Sequence, residues 1–232
     1  MQLPLQALLP VRSARKIPRV SFEECRKILD QLEICGVRKI GLTGGEPLCH
    51  PDFFRIVEEI AKRNMVLSTL YINGLHLSDE VLSFLQAKMQ SPDIQMSFDG
   101  RNTHDWMRGI IGAEKETVKA IRRSVEYGFM THISMMLFKD NRDALMENLC
   151  FLDSLGVRSI KVTGVDELGE WKAYAGIHGL SREEVFETYL HVIPELLKTH
   201  LLASVELGGF FRCDPRKGAQ KGSFEKTAGK RQ

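Results

Sequence analysis

The residues best suited to chemistry are Gly44, Gly45, Glu46 and Pro47, inside the stretch GLTGGEPLCHPDF at residues 41–53. An apolar run stops abruptly at two glycines and a carboxylate. Glycine has no Cβ, so its backbone can approach a ligand closely and take unusual φ values. A carboxylate beside it can accept charge-assisted hydrogen bonds from an ammonium. Together they suit a ligand with a free amino group. A plain turn carrying a solvated glutamate is the competing explanation. A phosphate site at Gly44–Gly45, as in an unrelated barrel enzyme, is disfavoured because Glu46 repels phosphate.

The elements that must position this group follow from capping and periodicity. Ser21 and Glu24 form a capping box. It opens a helix that carries Phe22, Cys25, Ile28, Leu29, Leu32 and Cys35 on one side and ends at Gly36. A strand is expected at about 38–43, then a helix opened by Pro51 with Phe53, Phe54, Val57 and Ile60 buried. Strands at 66–72, 93–98, 131–138 and 158–163 alternate with helices from Ser78, over 114–127 and over 142–155. The third strand is separated from the next helix by a long loop. A second capping box, Ser181 with Glu184, starts a helix to about 198 that Pro194 should kink.

Such βα alternation implies a parallel sheet with helices outside it. Strands buried on both faces would read as apolar throughout. Here one face is polar: Gln95, Ser97 and Asp99 alternate with Ile94, Met96 and Phe98, and His132 and Ser134 with Ile133, Met135 and Leu137. Ser159, Lys161 and Thr163 alternate in the same way with Arg158, Ile160 and Val162. The expected fold class is therefore α/β, a partial (β/α) barrel of parallel strands with outer helices and a polar, ligand-lining interior. Edge strands with one wet face are the alternative.

The stretch GLTGGEPLCHPDFFRIV resembles the second-strand motif of radical S-adenosylmethionine (radical SAM) enzymes. QMSFDGRNTHDWMRG, followed by AEKETVKAI, is similar to their fourth strand and loop, especially in the subgroup with a C-terminal SPASM-type cluster domain. GVRSIKVTGVDELGEW resembles that subgroup's sixth-strand region. The resemblance covers residues 21–172 in the expected order. It implies that Gly44, Gly45, Glu46 and Pro47 hold the amino group of the cofactor's methionine part. It also implies that Ser97 and Asp99 face S-adenosylmethionine, and that Arg108 holds its carboxylate. The competing roles are a simple turn for Asp99–Gly100 and a surface charge for Arg108. Thr69 and Asn73 could also face the pocket, and Lys161 could contact substrate, but neither spacing nor type sets these three apart.

The family also implies a [4Fe–4S] cluster on a CxxxCxxC loop after the first strand, with thiolate ligands. No such spacing occurs among the five cysteines, Cys25, Cys35, Cys49, Cys150 and Cys213, so no metal ligands are assigned. The motif order also leaves the first strand missing ahead of Ser21, and no cysteine-rich domain follows. The reading is thus a fragment or degenerate member of a family acting on a peptide or small molecule. The alternative is a cluster-free module that binds S-adenosylmethionine or a partner chain supplying the missing parts.

Composition sets the rest. With 43% hydrophobic and 27% charged residues the 232-residue chain reads as an ordinary globular protein. No apolar run approaches the roughly 20 residues of a membrane span. The N-terminal MQLPLQALLP lacks a leading positive charge, so a signal peptide is not expected. Residues 1–20 hold four basic side chains and no acid, and residues 208–232 hold seven basic and two acidic ones. They are read as a poorly ordered N-terminal segment and a flexible tail around a barrel at 21–207, with nucleic acid not expected as a partner. An odd, widely spaced set of cysteines points to a reducing cytoplasmic setting.

Overall fold

The structure is a computed structural model that describes residues 19–165, 169–208 and 211–214. Helix α1 (Phe22–Ile34) leads into strand β1 (Lys39–Leu42). Then follow α2 (Phe53–Lys62), β2 (Val66–Ile72), α3 (Asp79–Ala87), β3 (Asp93–Ser97), α4 (His104–Arg108), α5 (Ala113–Glu126) and β4 (Thr131–Leu137). The second half comprises α6 (Lys139–Arg142), α7 (Leu145–Ser154), β5 (Ser159–Gly164), α8 (Ala175–His178), α9 (Arg182–Lys198), β6 (Ser204–Leu207) and β7 (Phe211–Cys213).

The seven strands form one sheet in sequence order, β1 to β7. The first five are the expected strands and run parallel, β6 is an additional parallel strand, and β7 runs antiparallel to β6. Among the described residues the sheet does not close, and β1 and β7 are its two edges. Phe211–Cys213 fall inside the segment read from sequence as a tail, yet they pair with Val205–Leu207. Residues 1–18, where a preceding strand would fall, lie outside the described residues, as does most of the basic tail.

The apolar alternation is realised on the helix-covered face. Leu67, Leu70, Ile94, Met96, Ile133, Met135, Ile160 and Val162 are all essentially inaccessible. Each such side chain contributes about 2 kcal/mol on burial, so this face commits the strand register. A one-residue slip would turn every one of them outward. The opposite face stays open. Strands β2 to β5 have neighbours on both sides, so their polar faces cannot be explained as sheet edges. A groove of about 280 Å³ runs over this face, lined among others by Thr69, Asp93, Gln95, His132, Ser159 and Lys161.

Both capping boxes form as expected, each serine accepting from the backbone of its partner glutamate. Cys25 and Cys150 pack against the core as small hydrophobes. Helix α9 runs on through Pro194 and docks through fully buried Tyr189, whose hydroxyl donates to the Val162 carbonyl at 3.1 Å. Two expectations change. Pro51 lies in a turn, and α2 begins only at Phe53, because a 3-10 turn at Pro47–Cys49 takes up the preceding chain. The expected long loop after β3 contains α4, a helix too short to show a 3.6-residue apolar period.

Candidate functional site at the carboxyl ends of the strands

Glycines 44 and 45 follow the carboxyl end of β1, where parallel α/β sheets place their ligands. Gly44 has a φ of 140°, which side-chain-bearing residues rarely adopt. An added Cβ at either glycine would meet nothing within 4 Å, so the backbone here borders open space. The register between β1 and β2 shifts at Ile40/Gly41, and the Ser68 hydroxyl donates to the Ile40 carbonyl at 3.1 Å. Irregularities of this kind re-aim a strand end.

Glu46 is held rather than solvated. One oxygen accepts the Asn73 backbone N–H at 2.7 Å, tying the β1 loop to the end of β2. The other caps the 3-10 turn by accepting from Leu48 N–H at 3.4 Å. Among the described residues no lysine or arginine ion-pairs with Glu46. Burial, only partly opposed by those two N–H donors and by the nearby His76, raises its pKa above the ordinary glutamate value. The result is a part-buried carboxylate with no lysine or arginine ion pair among the described residues, beside an open glycine cradle.

Ser97 is the last residue of β3, half-buried on the open face. Asp99 lies just past the strand and is fully buried, as is Phe98. Its Oδ1 accepts the Met136 N–H at 3.1 Å from β4, and its Oδ2 lies 2.7 Å from Arg108 Nη2. That charge contact is too poorly aligned to count as a hydrogen bond, because Asp99 Oδ2 and Arg108 Nε both remain buried without a hydrogen-bond partner. Arg108 is therefore neither a free surface charge nor fully spent. Gly100 makes the following turn at φ 98°, and a Cβ there would stand 2.9 Å from both Asn148 Nδ2 and Thr103 Oγ1.

Sequence reasoning missed two features. The first is a set of polar side chains that holds the Asp99 backbone. Its carbonyl accepts from Thr103 Oγ1 at 2.7 Å and Asn141 Nδ2 at 2.9 Å, and its N–H donates to His104 Nδ1 at 3.0 Å. The second is an aromatic wall around Trp106. Its ring lies 5.4 Å from Phe138, 6.3 Å from Trp171, 6.2 Å from Tyr174 and 4.4 Å from His178. The tryptophans are 65 positions apart, so no local pattern announces their contact. Among the remaining candidates, Thr69 lines the open groove, and Asn73 contributes its backbone. Lys161 lies 3.5 Å from Glu206.

A profile of the Radical SAM superfamily matches residues 10–152. The chain belongs to the radical SAM superfamily. It is 28% identical over 189 residues to the antilisterial bacteriocin subtilosin biosynthesis protein AlbA of Bacillus subtilis strain 168, covering 79% of this chain and 42% of that one. It is 32% identical over 139 residues to the mycofactocin maturase MftC of Mycolicibacterium smegmatis, covering 58% of this chain and 35% of that one. The chain thus spans less than half the length of these two curated relatives. The fold is similar to that of Streptococcus suis SuiB bound to the precursor peptide SuiA, with a TM-score of 0.62 and 14% identity over 96% of this chain and 58% of SuiB. SuiB also has a structure bound to S-adenosylmethionine.

Radical SAM enzymes use S-adenosylmethionine and a [4Fe–4S] cluster. The residues here fit the methionine end of the first: an open glycine cradle, an unpaired carboxylate for an ammonium, and an arginine with an unpartnered donor for a carboxylate. They do not fit the second. All five cysteines are among the described residues and are spread over four elements: Cys25 within α1 and Cys35 at its C-cap, Cys49 in the 3-10 turn, Cys150 on α7 and Cys213 on β7. Among the described residues no three His, Cys, Asp or Glu side chains gather as a metal site.

Proposed function

We propose that this chain is the part of a peptide-modifying radical SAM protein that holds the amino-acid end of S-adenosylmethionine. The observation that carries the reading is Glu46, an ion-unpaired, part-buried carboxylate locked by Asn73 N–H beside an open Gly44–Gly45 backbone. Glu46 would accept from the ligand's ammonium, with the glycine backbone lining the approach. Arg108, steadied by Asp99, would donate to the carboxylate, and Ser97 would contact the ligand from the open face. In the family the cofactor supplies the radical chemistry when cleaved at its cluster. A peptide substrate is the reading supported by the SuiB complex and the AlbA relationship. A cytoplasmic location goes with five free cysteines, and no described helix is long and apolar enough to cross a membrane.

The dispersed cysteines favour a second version, in which this chain binds S-adenosylmethionine without a cluster or completes a partner chain that carries one. Anaerobic iron–sulfur reconstitution with iron counting, followed by titration with S-adenosylmethionine, tests both. The expected result is no stoichiometric iron, with measurable binding that Glu46→Gln weakens. About four irons per chain would overturn the separation of cluster from chain. Binding unaffected by Glu46→Gln would overturn the site.

A further inference from the structure

The two halves of the proposed site are joined by a buried hydrogen-bond chain. At one end Asn73 N–H donates to Glu46. The Asn73 carbonyl accepts from Thr117 Oγ1 at 3.2 Å, and Thr117 Oγ1 lies 3.3 Å from His104 Nε2. At the other end His104 Nδ1 accepts the Asp99 N–H at 3.0 Å. That last bond decides the tautomer. A nitrogen that accepts from a backbone N–H carries no proton, so the ring proton sits on Nε2 and points at Thr117. The 3.4 Å approach of Nδ1 to Asp99 Oδ2 is then not an ion pair. Directionality is consistent throughout: Asp99 N–H to His104, His104 to Thr117, Thr117 to the Asn73 carbonyl.

His104 and Thr117 are both fully buried, and the imidazole stacks on Phe98 at 5.0 Å. Neither can act on a ligand directly. Their reach is structural: they connect the loop after β3, α4, α5 and the end of β2 in one network, and loss of the imidazole would leave the buried Asp99 N–H unsatisfied and unlink it from Thr117.

We propose that His104 is a positioning residue that sets the separation between the Glu46 carboxylate and the Arg108–Asp99 pair, so that the two charged ends of one amino-acid moiety are recognised together. This rests on the reading of the site as a binder of S-adenosylmethionine, which both ends would grip. A ligand lacking the amino-acid end would not sense the spacing.

The experiment compares S-adenosylmethionine with 5′-methylthioadenosine, which keeps the nucleoside and loses both charged groups, by calorimetric titration of this chain. His104→Phe preserves the stacked ring and abolishes both hydrogen bonds. His104→Gln can accept from Asp99 N–H and donate to Thr117, and so serves as the rescue. Thr117→Val breaks the same chain with little change of volume, should the phenylalanine variant fail to fold. The expected result is an S-adenosylmethionine affinity on the order of tenfold weaker in His104→Phe and Thr117→Val, with 5′-methylthioadenosine binding unchanged and His104→Gln close to the parent. Equal weakening of both ligands, or of neither, would overturn the positioning role. A parent chain that does not distinguish the two ligands would overturn the site reading and the inference with it. If Glu46→Gln abolishes the distinction while the His104 and Thr117 variants retain it, the site stands and only the inference falls.

Discussion

Two acidic residues just past the carboxyl ends of β1 and β3, with β2 between them, have opposite surroundings. Asp99 is wholly buried, with an arginine beside its carboxylate, a backbone N–H on one oxygen and three side chains on its own peptide groups. Glu46 is part-buried, with only two backbone N–H donors and no lysine or arginine ion pair among the described residues. A buried charge is tolerated when it is compensated. Asp99 is compensated within the fold, so it reads as an anchor for Arg108 and for the β3 loop. Glu46 is left short of positive charge, which a cationic ligand would supply. The carboxylate that looks functional is the one that the fold leaves without an arginine or lysine beside it, although each of its oxygens accepts a backbone N–H.

The strongest way to break this contrast is Asp99→Ala. It strands Arg108 and the Met136 N–H, and should destabilise the protein by about 3 kcal/mol, read from denaturant unfolding. A loss under 1 kcal/mol would mean that Asp99 is not an anchor. Gly100→Ala comes next. The positive φ and the 2.9 Å contacts to Asn148 and Thr103 should cost about 2 kcal/mol, seen as a lowered melting temperature.

Glu46→Gln should act the other way on stability. Burial raises the Glu46 pKa, so the folded state disfavours the ionised form. The carboxylate therefore lowers stability as pH rises from the unfolded pKa through the raised folded one, and the full penalty is present above it. The glutamine variant, still able to accept from Asn73 N–H, should melt no lower than the parent at neutral pH. It should nevertheless bind S-adenosylmethionine about tenfold more weakly, one charged hydrogen bond's worth. In the parent, affinity should fall on acidification through a window above the ordinary glutamate value of 4.5, and Glu46→Gln should lack that fall. The smallest effect is expected at Gly45→Ala. The new methyl meets nothing in the unliganded chain, so stability should stay within about 0.5 kcal/mol, while any loss of binding would place the ligand against this backbone.

Much of the scaffold is legible locally. Ser21–Glu24 and Ser181–Glu184 report helix starts because a cap involves residues three apart. The alternation through Ile94 to Phe98 reports a half-covered strand because side chains alternate with period two. The segment Gly44–Pro47 is legible as a candidate site for a similar reason: residue types and spacing within a few positions suggest the chemistry. Strand β6, only Ser204–Leu207, and the antiparallel Phe211–Cys213 are too short to announce a period; pairing decided their conformation, β6 against the distant β5 and β7 against β6 itself.

On its own, the sequence determined the βα repetition, the family motifs in their order and the dispersal of the five cysteines, because these depend on residue type and short-range spacing. It could not show how the charges of Asp99 and Glu46 are compensated, since both are acids beside glycine near a strand end. Only the tertiary structure brought Arg108, Met136 and His104 to one and left the other with two backbone N–H donors and the nearby His76. Compensation of a buried charge depends on which side chains arrive from elsewhere in the chain, and that is settled when the strands and helices pack.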